Sequence, residues 1–154
     1  MNQRVPLLII GSLLLPLGCG GPTGLEPSEF CSASDAAIAT FEDANLEAAI
    51  RAALSVGTQE DLTCGLVSGL TELNATSDGI TSLMGAQNLT SLQTLFLAYN
   101  SITDISALSG LTSLTGLFLD NNSITDISAL SGLTSLTILG LSFNSISDIS
   151  ALSG

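Results

Sequence analysis

The chain has no lysine, no histidine and no tryptophan, a single tyrosine, and two arginines against fourteen acidic residues. Its formal net charge is −12. Neutralising a nucleic-acid backbone needs a set of cations that is missing here, and anionic lipid headgroups need the same set. The partners left are surfaces that are neutral, apolar or basic. Catalysis is also short of parts, since without histidine or lysine a serine nucleophile lacks its base. Glu72 and Asp120 are a conceivable carboxylate pair. On an open surface, however, nothing drives their pKa values apart as glycoside hydrolysis requires, so no enzyme is expected. With three cysteines, no histidine and no C-x-x-C spacing, no zinc site is expected either, and no cofactor is implied.

Long apolar runs are scarce too. The one at Val5–Leu17 follows Arg4 and is too short to cross ~30 Å of hydrocarbon as a helix. It reads as an export signal over residues 1–18, to be kept out of the fold. Leu15-Pro16-Leu17-Gly18-Cys19 resembles the end of a bacterial lipoprotein signal, which implies cleavage before Cys19 and lipid on that residue. The alternative is an ordinary secretory signal with an incidental cysteine. The lipoprotein reading places the protein in the bacterial cell envelope. Gly20 stands where an aspartate would resemble an inner-membrane retention signal, which points to the outer membrane. Lipidating Cys19 leaves Cys31 and Cys64 to pair in an oxidising compartment, closing a loop worth ~3 kcal/mol on the chain-entropy model. The alternatives are two free thiols or half a metal site. Residues 19–30, rich in Gly, Pro and polar side chains, read as a lipidated flexible tether.

Residues 31–66 form a candidate cap. Leu46, Ile50 and Leu54 repeat on one helical face, Asp43 or Asn45 can cap the first turn, and Val56-Gly57-Thr58 stops the helix. Beyond it a 22-residue unit recurs three times in register over residues 89–154: LTSLQTLFLAYNSITDISALSG, LTSLTGLFLDNNSITDISALSG and LTSLTILGLSFNSISDISALSG. A degenerate copy occupies residues 67–88, with Asp78 in the place of Asn100 and Ser82 in the place of Asp104. The period and its L-x-x-L-x-L-x-x-N-x-I core mark a leucine-rich-repeat solenoid. The expected fold is therefore α/β: a right-handed solenoid with parallel strands on the concave face, short turns or 3-10 helices on the return leg, and a helical N-terminal cap. TFEDANLEAAIRAAL followed by these repeats resembles the capped, 22-residue subclass of internalin-like bacterial proteins.

The repeat also assigns side chains to faces. Leu95 and Leu97 point inward and Thr94, Phe96 and Ala98 outward. An inward ladder of Asp78, Asn100, Asn122 and Asn144 is expected to satisfy backbone groups where each strand turns. The carboxylates of Asp104, Asp126 and Asp148 have ordinary capping work on the return leg, and no metal site is expected there. Outward, Phe96 and Phe118 fall on adjacent strands, forming an apolar patch of the kind found in binding hot spots. Glu72, Asn74, Thr94, Asp120 and Ile138 surround them. Resemblance to the internalins implies that this concave face recognises a protein. Other readings are a structural envelope lipoprotein serving as a spacer, and a fragment of a longer adhesin. Uncovered apolar residues in the last repeat lead to an expectation of end-to-end self-association or fraying.

Overall fold

One coil of the solenoid forms per 22-residue unit. In the computed structural model, which describes residues 24–31 and 34–153, the signal segment and Cys19 fall outside the described residues. The coils supply strands β1 (Glu72–Asn74), β2 (Thr94–Phe96), β3 (Gly116–Phe118) and β4 (Ile138–Gly140). They pair in parallel and in chain order, so that Leu73, Leu95, Leu117 and Leu139 align across the sheet. Alternation along a strand sends these leucines inward, and the first three are fully buried. The return legs carry 3-10 turns at Ala86–Asn88, Ser106–Leu108, Ser128–Gly132 and Ser150–Leu152. Their isoleucines and leucines, among them Ile80, Ile102, Ile105, Leu108 and Leu111, complete one continuous core. Asp104, Asp126 and Asp148 each accept a 2.8 Å hydrogen bond from the amide two residues on. In the degenerate repeat the Ser82 hydroxyl oxygen accepts from the Met84 amide at 3.2 Å.

The asparagine ladder runs backwards along the chain. The Asn100 amide donates to the carbonyls of Leu97 and Ala75, each at 2.9 Å, and its oxygen accepts from the Ile80 amide. Asn122 repeats this with Leu119, Leu97 and Ile102, and Asn144 with Leu141, Leu119 and Ile124. Each side chain thus closes its own turn and the turn before it. Asp78 does not belong to this ladder. It is exposed, and a carboxylate has no N–H to donate to the carbonyls that the asparagine amides reach.

Asp43 takes over at the first coil. It is the N-cap of α1 (Ala44–Leu54), its Oδ1 accepting from the amides of Asn45 and Leu46 at 2.9 and 3.2 Å. Its Oδ2 accepts from the Thr81 amide at 2.8 Å, the Thr81 hydroxyl and the Ser82 amide. One carboxylate therefore starts the cap helix and fastens it to the first return leg. Leu46 and Ile50 on α1 are fully buried, with Leu54 half-buried. Ser55 ends the helix in a left-handed conformation, its N–H returning to Ala52 and Arg51. A second short helix, α2 (Cys64–Ser68), begins where Thr63 accepts from Leu66. Its five residues are too few for an apolar period to show in the sequence.

The expected Cys31–Cys64 disulfide is present, joining residues 33 apart. The expectation of a free tether through residue 30 is corrected over residues 24–30. Leu25 donates to Ile38 at 2.8 Å, Gln87 donates to the carbonyls of Pro27 and Glu29, and Asn88 donates to Glu29. Asn88 then accepts from the Cys31 amide at 2.7 Å. The Gly/Pro composition suggests flexibility, but buried amides from the first return leg hold this segment down as a strap. Gly85, which precedes those amides, has φ 105, and a Cβ there would collide with Thr40 and Phe41. Only glycine fits.

Candidate binding face on the parallel sheet

Strand register sets the face. Outward residues form one column of Glu72, Thr94, Gly116 and Ile138 and a second of Asn74, Phe96, Phe118 and Gly140. The Phe96 and Phe118 rings stack with centroids 4.7 Å apart and planes 8° from parallel. This separation is the distance between neighbouring strands, so identical register is enough to produce the stack. Both rings are half-buried. Phe118 leans over Gly116, where a Cβ would lie 3.5 Å from the ring and 3.4 Å from the Thr94 methyl. A Cβ at 116 would be in ordinary van der Waals contact with both, so the ring edge and the Thr94 methyl close over Gly116, which is buried.

The next rung differs. Gly140 follows Phe118 in the column, and the Asp120 carboxylate occupies the room that its missing side chain leaves; a Cβ at 140 would collide with it. Asp120 Oδ1 accepts from the Ser142 amide at 2.9 Å, which holds the carboxylate in place. Ile138, the preceding outward residue on β4, is 56 % exposed. At the other end Glu72 and Asn74 are exposed, and Asn74 Oδ1 accepts from the Thr76 amide. The sheet thus places Phe96, Phe118, Thr94, Asp120 and Ile138 in one patch, with Glu72 and Asn74 at its margin.

Beyond the strands, Ser77, Tyr99, Asn121 and Phe143 stand 22 residues apart, all with φ between 56° and 62°. The turn demands the left-handed conformation, which suits Asn121 and strains the two aromatics. Tyr99 is 63 % and Phe143 80 % exposed, so neither packs under its turn.

On the opposite leg, Asp126 and Asp148 are held below the ordinary carboxylate range by the amides and then the hydroxyls of Ser128 and Ser150. Those bonds account for the column, and among the described residues no group of cysteines and carboxylates is arranged to hold a metal ion. The clamp residues Gln87 and Asn88 carry no sequence signal for their roles, and Asp43 shows only as one of two candidate caps. Gly116 and Gly140, breaking columns of larger residues, are the legible hint to how the patch is shaped.

Residues 90–131 and 112–154 each match a two-copy family model of leucine-rich repeats. Among solved structures, an internalin (inlF) from Listeria monocytogenes is 43 % identical, with a TM-score of 0.71 over 73 % of this chain and 33 % of its own. Internalin C2 (inlC2) from the same organism is 31 % identical, with a TM-score of 0.59 over 73 % of this chain and 60 % of its own. The functional domain of InlJ, also from Listeria monocytogenes, is 26 % identical with a TM-score of 0.53, covering 71 % of this chain and 29 % of that one. The chain spans a third of the length of the first of these and three fifths of the second. No curated protein sequence matches it. The molecule is a leucine-rich-repeat solenoid similar to the internalins.

Proposed function

We propose that this chain is an exported, lipid-anchored binding module of the bacterial envelope, and that its sheet face captures a protein ligand around Phe96 and Phe118. The observation that carries the proposal is the stacked, half-exposed phenylalanine pair. Its rings lie on the side of the strands away from the core, and the inward leucines fill that core without them. Burying apolar ring area against a partner stabilises a complex by ~25 cal/mol per Å² removed from water. Glu72, Asn74, Thr94, Asp120 and Ile138 form the polar and apolar rim. The likeness to internalins supports a surface location and a protein partner.

Changing Phe96 and Phe118 together to Ser tests the reading. The variant is expected to keep the solenoid fold at a cost of about 1–3 kcal/mol, from the lost stack and the half-buried ring area, and to lose capture of the ligand that a pull-down identifies. Normal folding with unaltered affinity would remove the sheet face as the site and leave the spacer reading in its place. The anchor has its own test in detergent phase partitioning. Full-length protein should enter the detergent phase and Cys19→Ser should remain aqueous; equal partitioning of the two would refute lipidation.

A further inference from the structure

We propose that the sheet face contains a slot for one arginine side chain of a basic protein partner, between the open face of Phe118 and the carboxylate of Asp120. The inference rests on the reading of this face as a ligand-binding surface and names what it recognises. Phe96 covers one face of the Phe118 ring. The other face looks toward β4, where its column partner Gly140 has no side chain to cover it. Asp120 reaches into that same rung with Oδ1 bound to the Ser142 amide, and its Oδ2 takes no hydrogen bond among the described residues. A planar group stacked on Phe118 one strand spacing further on, ~4.8 Å away, lies within the ~6 Å range of a cation–π contact. It also comes beside the free carboxylate oxygen. Exposed Ile138 provides an apolar wall for an aliphatic stem.

Charge complementarity selects the occupant. Arg51 is the one basic side chain among the described residues, and it is committed elsewhere: Nε to Glu47 at 2.8 Å and Nη1 to the carbonyls of Gly57 and Glu60. Among the described residues Asp120 therefore has no cation to pair with, in a sequence of net charge −12. A single free carboxylate oxygen is a poor metal site. A guanidinium fits both walls, because its plane stacks on a ring while its N–H fork meets a carboxylate; an ammonium has neither the plane nor the fork and pairs only as a point charge.

The experiment is selection of a phage-displayed library of short random peptides on the full-length protein, followed by affinity measurement on the selected peptides. The expected result is peptides with arginine at one fixed position whose binding is lost in the Phe96→Ser/Phe118→Ser variant. That binding should weaken by about tenfold or more in Asp120→Asn or when citrulline replaces the arginine. Asp104→Asn, which removes an exposed charge from the opposite leg, should leave it unchanged. Peptides that need the phenylalanine pair but carry no arginine, or tolerate Asp120→Asn, overturn the slot and leave the sheet-face reading standing. Equal losses in Asp104→Asn and Asp120→Asn also overturn it, showing unspecific attraction to an acidic protein. Selected peptides indifferent to the phenylalanine pair, or no selected peptide at all, count against the sheet-face reading and the slot together.

Discussion

At the scale of single residues, Asp43 joins more of the molecule than any other side chain described. Burial raises the pKa of its carboxyl. The hydrogen bonds from the Thr81 amide and hydroxyl and from the Leu46 and Asn45 amides outweigh that and hold it below the ordinary value. A folded-state pKa below that of the unfolded chain means stability that is complete above the unfolded value of about 3.9 and is lost as pH falls through the lower folded one. Asp43→Asn keeps an acceptor for the cap but loses the charge. The wild-type advantage over it should therefore be constant above about pH 4 and vanish in more acid solution, as followed by denaturant melts across that range. Asp43→Ala should cost about 2–3 kcal/mol at neutral pH, from a lost helix cap and stranded amides on the first return leg. A loss equal to that of an ordinary surface substitution would show that the clamp is redundant.

Among the elements, the strap of residues 24–31 gives the clearest expectation. Cys31→Ser with Cys64→Ser should lower stability by about 3 kcal/mol. Proteolysis should then increase within the strap and α2, while β2 and β3 stay protected. Equal protection of the strap with and without the disulfide would mean that Gln87 and Asn88 hold it alone. The strap also shows where sequence reading stops. Strand register, the ladder at Asn100, Asn122 and Asn144 and the phenylalanine stack are legible because a strict period places equivalent residues opposite each other. The strap is held by residues 57 to 60 positions away, outside any period, and its Gly/Pro composition points the other way. Asp78 is misplaced for the converse reason. Period assigns it to the ladder, but the ladder needs a side chain that donates and accepts at once. The Asp120 carboxylate over Gly140 is half legible: the glycine is visible in the column, but which neighbour fills its space is not.

Over the whole molecule, stability in a repeat array is close to a sum of neighbour terms, and here the neighbours are unequal. Core leucines and isoleucines from Leu73 through Ile124 are essentially inaccessible. Leu136, Leu139, Leu141 and Ile146 are half-buried, and Ile149 and Leu152 are 69 % and 44 % exposed. In a polypeptide of these 154 residues, amide hydrogen exchange should therefore run fastest over 133–153, where burial is lowest. Full protection of 133–153 in a dilute monomer would contradict this.

The backward reach of the asparagines gives assembly a direction. Asn100, Asn122 and Asn144 each find their acceptors and donor in chain already made when the side chain itself emerges from the ribosome. A coil can thus lock onto its predecessor before its successor exists, and the cap, synthesised first, offers a finished surface for the first coil. Folding can then keep pace with delivery from the N-terminus, one latch per 22 residues. At any moment the newest coil is the one whose turn is closed by its own asparagine alone.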